Sequence, residues 1–178
     1  KPFLLVPRME AERARLSPHK VIAVDKEMKK YLKRYLSGSR IGFDGSSLDT
    51  TTYLSLKKAL PGRQWRDISP AIEHLRMTKT PDEIAHLIKG CMISDEVYRA
   101  AFLKFRSFVT EQDVADFMET EARKHGCKVS FDTIVASGRN ASMPHHKPTR
   151  TKLQKGFCVI DFGVKYKGYC SDITRTIY

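Results

Sequence analysis

The sequence predicts two successive folding units, an α/β segment over residues 1–75 and an α+β segment over residues 76–178. In the first part, short β-like runs alternate with helical patterns, the rhythm of an α/β layer structure. The second part opens with two long, well-capped helical patterns and closes on runs rich in β-branched and aromatic residues. That order places helices on one face of an antiparallel sheet. A chain of 178 residues with a hydrophobic fraction of 41% has material for one domain, or for parts of two.

In the first unit the strand candidates are residues 3–6, 21–24, 41–43 and 64–68, and residues 9–15, 26–36 and 48–60 are the helices between them. Ser69-Pro70 opens a short helix, with Ser69 as N-cap and Pro70 at the first helical position. Residues 75–79 join the units.

In the second unit Thr80-Pro81-Asp82-Glu83 is a strong helix start, with Thr at the N-cap, Pro at N1 and Glu at N3. Ile84, Leu87, Ile88, Cys91, Tyr98, Phe102 and Phe105 then mark an apolar stripe. Thr110-Glu111-Gln112-Asp113 starts a second helix through Val114, Phe117 and Met118, and Gly126 stops it. A strand over residues 129–137 and a polar loop over residues 138–150 follow. No internal repeat or low-complexity tract interrupts the chain.

The last segment carries the chemistry. An apolar run over residues 157–164 and a second over residues 169–178 flank Lys165-Tyr166-Lys167-Gly168, so the segment reads as a hairpin. A turn centred between Tyr166 and Lys167 pairs positions that sum to 333, which sets Asp161 directly across from Asp172 on one face. Two carboxylates with Cβ atoms roughly 5 Å apart repel each other and weaken the ladder. A divalent cation between them removes that penalty, and strand interiors are otherwise poor in Asp.

G-F-C-V-I-D-F-G followed by G-Y-C-S-D-I-T-R-T resembles the metal-binding hairpin of the prolidase and aminopeptidase P family, the pita-bread metallopeptidases. F-D-T-I-V-A-S-G-R-N-A-S-M-P-H-H is similar to the segment that delivers that family's active-site His, and L-R-M-T-K-T-P-D-E-I to the start of its catalytic domain. The motifs stand in the family's order, and the Xaa-Pro dipeptidase branch matches best. The resemblance implies a partial creatinase-type N-domain followed by the first half of a pita-bread domain. It further implies that Asp161 chelates one metal ion, that Asp172 bridges two, and that His145, the residue after Pro144, is catalytic. His146 is read as its idle neighbour, and His19, His74, His86 and His125 as structural or surface residues. The implied cofactors are two divalent ions, Mn, Co or Zn, with a metal-bridging hydroxide as nucleophile on an Xaa-Pro bond. Thr174 and Arg175 are expected to support the site. A homodimer in the cytoplasm, acting on an Xaa-Pro dipeptide or peptide, completes what the resemblance implies. The rival readings are a non-catalytic pita-bread binding module and a creatinase-type amidohydrolase. Retention of Asp161, Asp172 and His145 argues against the first.

One departure bears on activity. The family completes its site with a His and two Glu residues downstream, whereas this sequence stops at Tyr178, six residues after Asp172, and it begins at Lys1 without a Met. The expectation is a middle portion of a larger protein, inactive on its own.

The net charge of +12 does not imply nucleic acid. Residues 1–79 hold 17 Lys and Arg against 8 Asp and Glu, a net +9. The densest run, Lys26, Lys29, Lys30, Lys33 and Arg34, alternates with Met28, Tyr31, Leu32 and Tyr35 at helical spacing, as the wet face of an amphipathic helix does. No aromatic-plus-basic groove accompanies it. Nor does any apolar run approach the ~20 residues of a membrane span. The four cysteines, Cys91, Cys127, Cys158 and Cys170, show no C-x-x-C spacing and read as buried free thiols of a reducing compartment. Cys170 shares a face with Asp172 and is read as a small core residue. Cys158 and Cys170 fall on opposite faces of the hairpin, which argues against a disulfide between them.

Two carboxylates fall short of the roughly four to six donors a divalent ion takes. Calorimetric titration of the 178-residue chain with Mn²⁺ is therefore expected to show no stoichiometric micromolar binding. Tight binding with turnover of an Xaa-Pro dipeptide would show that no further ligands are needed.

Overall fold

In the computed structural model, which describes residues 2–25, 28–36 and 38–178, the chain forms two units, Lys1–Thr78 and Lys79–Tyr178. In the first, β1 (Phe3–Pro7) pairs in parallel with β2 (Lys20–Val24), and β3 (Arg40–Phe43) in parallel with β4 (Gln64–Asp67). Parallel pairing needs a crossover. Between β1 and β2 it is a 3₁₀ turn and α1 (Ala11–Ala14), and between β3 and β4 it is α3 (Thr50–Ala59). The Asp49 carboxylate caps α3 by accepting the Thr52 N–H at 2.9 Å. Phe43, Tyr53 and Trp65 pack as an aromatic cluster, with the Phe43 and Tyr53 rings 4.8 Å apart. The basic amphipathic run forms α2 (Met28–Tyr35), and Lys26, expected at its start, lies outside the described residues.

The α/β reading of this unit holds, with a correction at its end. In α4 (Ser69–Met77) the N-cap is Ile68, not Ser69. Asp67 does the capping from one residue further back, accepting the Ser69 N–H at 2.9 Å. The helix also runs through Leu75–Met77, which the sequence assigned to the joining segment.

The second unit begins with α5 (Pro81–Leu103) and α6 (Glu111–Lys124), each opened by a complete capping box, at Thr80/Glu83 and Thr110/Asp113. The stripe expected on α5 is rotated. Gly90, Ile93, Ser94, Val97, Tyr98 and Ala101 are buried, whereas Ile84, Ile88, Cys91 and Phe102 are exposed. The face turned to the core carries Ser94 and Ala101 beside Ile93, Val97 and Tyr98, and of the expected stripe Tyr98 alone is buried. On α6 the buried set is Glu111, Val114, Ala115, Met118 and Ala122, and Gly126 at φ +71° follows the helix as expected.

The single strand expected over residues 129–137 is two: β5 (Lys128–Val129) and β6 (Ile134–Ser137). The closing segment likewise divides into β7 (Cys158–Phe162), β8 (Val164–Tyr166), β9 (Tyr169–Cys170) and β10 (Ile173–Ile177). Two antiparallel sheets result, ordered β10-β7-β6 and β5-β8-β9. Along β7 Cys158, Ile160 and Phe162 are buried while Val159 and Asp161 are half-buried, the alternation of a sheet with one face packed. The core combines that face with Val97, Val114, Met118 and Val135. Among the described residues no helix is long and apolar enough to cross a membrane.

The register expectation is corrected here. Tyr166 pairs with Tyr169, so the turn consists of Lys167 and Gly168. Their φ values of 47° and 92° suit the two left-handed positions of a tight hairpin turn. Paired positions therefore sum to 335, and Asp161 lies across from Thr174, not from Asp172. The strands change sheets at Gly163 and Ser171. A Cβ on Gly163 would run into the Ser171 carbonyl oxygen. The buried Ser171 hydroxyl accepts the Val164 N–H at 2.9 Å and bonds the Ser94 hydroxyl at 2.8 Å. Its carbonyl accepts the Ser130 hydroxyl at 2.8 Å.

Gly163→Ala should destabilise the protein by about 3 kcal/mol, since the obstacle is backbone and cannot rotate away. Urea denaturation with an unchanged m-value is the check.

Candidate functional site

The corrected register still leaves Asp161 and Asp172 on one side of the sheet. Asp172 lies just before β10, two residues ahead of Thr174, the residue that faces Asp161 across the ladder. The Thr174 hydroxyl donates to Asp161 Oδ1 at 2.8 Å, fixing the orientation of that carboxylate. Both aspartates line a cavity of about 370 Å³ whose wall also includes Asp132, His145, His146 and Lys147. All three residues singled out in the sequence thus meet at one cavity. Lys147 reaches the Asp132 carboxylate at 3.9 Å, and both side chains are exposed.

Behind the aspartates, Tyr98 of α5 fastens the sheet. Its hydroxyl lies 2.9 Å from the Ile160 carbonyl and 2.7 Å from that of Ile173, one on each of the strands β7 and β10. Burial, and after it the negative charge of Asp161, push the phenol pKa well above its usual value, so Tyr98 is a neutral donor. The Arg175 guanidinium sits 5.6 Å from the Tyr98 ring centre and pairs with Asp95 at 3.3 Å.

His145 is exposed and has φ +60°, one of two non-glycine residues with positive φ among those described. His146 is not the idle neighbour expected. Its Nε2 lies 2.8 Å from Glu111 Oε2, and Glu111 is fully buried. The other carboxylate oxygen accepts the Ser137 N–H at 2.9 Å, the Ser137 hydroxyl at 3.0 Å and the Asn140 amide at 3.0 Å. Burial alone would raise the Glu111 pKa, but the bonds from Asn140, Ser137 and His146 outweigh it and hold the carboxyl below its ordinary 4.5. Sequence reasoning assigned Glu111 only to a helix start. The residue after a capping Thr is ordinarily solvated, and nothing local marks this one as buried.

Carboxylate oxygens on a shared cavity wall suit a hard divalent cation, and Asp161 and Asp172 would contribute to holding one. Among the described residues no group of three or more His, Cys, Asp or Glu side chains is gathered closely enough to hold an ion. The four cysteines are free. Cys127 and Cys158 are buried as the sequence predicts, while Cys91 and Cys170 are exposed, so neither of these is a core residue.

Comparison with known proteins finds relatives of both units. Residues 85–178 match the model of metallopeptidase family M24, and residues 1–78 that of the creatinase/prolidase N-terminal domain. An Xaa-Pro dipeptidase of Pyrococcus horikoshii is 32% identical over 176 residues, covering 98% of this chain and 50% of the relative. A peptidase of Staphylococcus epidermidis is 32% identical over 185 residues, covering 100% of this chain and 52% of the relative. The solved structure of a prolidase from Pyrococcus furiosus superposes with a TM-score of 0.89 at 31% identity, over 98% of this chain and 55% of that one. The chain thus spans about half the length of the relatives it matches.

The lowered Glu111 pKa has a pH signature. Because the folded value lies below the unfolded one, the ionised carboxylate's contribution is complete above about pH 4.5 and lost as the pH falls through the folded value. Calorimetric melts should show the gap between wild type and Glu111→Gln widest near pH 7 and shrinking towards about pH 3. A gap constant with pH would place the carboxylate outside the acid transition.

Proposed function

The chain belongs to metallopeptidase family M24, and on that premise we propose that the intact protein hydrolyses Xaa-Pro peptide bonds with the help of two divalent ions, Mn, Co or Zn. The observation that carries this reading is the presence of Asp161, Asp172 and His145 on the wall of one cavity. Its volume of about 370 Å³ lies near the lower end of small-ligand sites, in keeping with a dipeptide or the end of a peptide. The metals, when bound, would supply a nucleophile at neutral pH and stabilise the developing oxyanion.

This chain's residues do the rest. Asp161 and Asp172 would hold the ions, and the Thr174 hydroxyl keeps one Asp161 oxygen aimed. His145, exposed on the cavity wall, hydrogen-bonds the oxygen of the reacting carbonyl or passes a proton to the leaving prolyl nitrogen. Lys147 and Asp132 at the same wall offer opposite charges to a zwitterionic substrate. A homodimer working in the cytoplasm, where Cys91, Cys127, Cys158 and Cys170 stay reduced, belongs to the same reading.

The test is hydrolysis of Xaa-Pro dipeptides by the intact protein, abolished by chelation and restored by Mn²⁺ or Co²⁺. Replacing His145 with Ala should lower kcat at least about a hundredfold, the scale of a lost acid–base group. An unchanged kcat removes His145 from the mechanism, and turnover indifferent to chelation removes the metals.

A further inference from the structure

We propose that Glu111 is a positioning residue for His145, acting through His146. It rests on the reading of His145 as the proton-handling group. One oxygen of the buried carboxylate holds the end of β6 and the following turn, through Ser137 and Asn140. The other holds His146 at 2.8 Å. The first turn of α6 grips the far end of the same loop, where the Glu111 N–H donates to the Thr151 carbonyl at 3.2 Å and the Gln112 N–H to that of Thr149 at 3.0 Å. Residues 137–151 are therefore fastened at both ends and in the middle to one helix start.

His145 lies within this span, beside its middle fastening. A left-handed backbone at a residue with a Cβ is costly and persists only where the surroundings fix it. The bond from the adjacent His146 supplies that fixation. Since an ionised carboxylate only accepts, the His146 nitrogen facing Glu111 carries the hydrogen. His146 is thereby turned into the protein, 11% exposed, while His145 is left exposed at the cavity wall.

The experiment compares His146→Ala and His146→Gln with wild type in the intact protein. A Gln amide reaches about as far as the imidazole Nε2 and can donate to Glu111. In His146→Ala, amide exchange over residues 143–147 should rise about tenfold, as for a local opening that has lost one charge-assisted bond, with residues 97–101 unchanged. kcat on an Xaa-Pro dipeptide should fall about tenfold with KM within about twofold, and His146→Gln should restore both readouts. A core-packing role for His146 would not be rescued by Gln and would not spare KM. Unchanged exchange in His146→Ala, or a loss that Gln fails to restore, overturns the proposal. If wild type cleaves no Xaa-Pro bond, the functional reading falls, and the exchange results still decide the clamp.

Discussion

The contact between Gly163 and Ser171 is the constraint on which the geometry of the site depends. Two antiparallel ladders meet there, β7 with β10 on one side and β8 with β9 on the other. The strands can exchange sheets only because residue 163 has no side chain to strike the Ser171 carbonyl. Breaking a ladder leaves backbone groups in need of partners. The Ser171 hydroxyl takes the Val164 N–H, and the Ser130 hydroxyl takes the Ser171 carbonyl. Asp172 is the next residue, and Asp161 lies two residues before Gly163. The crossing that joins the two sheets thus also sets the spacing of the two carboxylates.

The sheet then separates structure from chemistry by face. Ile160 and Phe162 enter the core with the helices, and Asp161 between them faces the cavity. Two unneutralised carboxylates on one wall weaken the ladder beneath them. Tyr98 and Thr174 counter this, the first by fastening both strands from behind and the second by donating to Asp161. Burying the Glu111 carboxylate carries a desolvation cost of several kcal/mol unless hydrogen bonds compensate. Four donors surround it, which is why it remains ionised in the interior.

Local signals in the sequence read well. The starts of α5 and α6 at Thr80 and Thr110, the stop at Gly126 and the polar loop carrying His145 follow from nearest neighbours, and the structure has each of them. The misplaced features depend on tertiary choices. The turn shifted by one residue because Lys167 takes a left-handed conformation that Lys rarely adopts, and that moved the register from 333 to 335. A shift by two in the sum preserves the face, which is why Asp161 and Asp172 still share a cavity. The stripe on α5 is displaced because the buried face of a helix is chosen by where the sheet packs, and that face carries Gly90, Ser94 and Ala101 beside Ile93, Val97 and Tyr98. Glu111 was invisible because its partners, Ser137, Asn140 and His146, are 26 to 35 residues away.

The site is therefore held by two independent supports. The aspartates belong to the sheet crossing, whose hydrogen bonds involve Ser94, Ser130, Val164 and Ser171 and none of the loop. His145 belongs to a loop tied to the first turn of α6, whose bonds involve neither Asp161 nor Asp172. Sites that share no partner respond to mutation nearly additively. Changes at Gly163 should thus act on the carboxylate pair while sparing the loop, and changes at Glu111 the reverse. Separate supports let the carboxylate pair and His145 be adjusted one at a time. Their mutual distance is set where these supports meet, at the Ser137 end of β6 that Glu111 holds and that pairs with β7, and through the packing of α6 on that sheet at Val114, Met118, Val135 and Ile160.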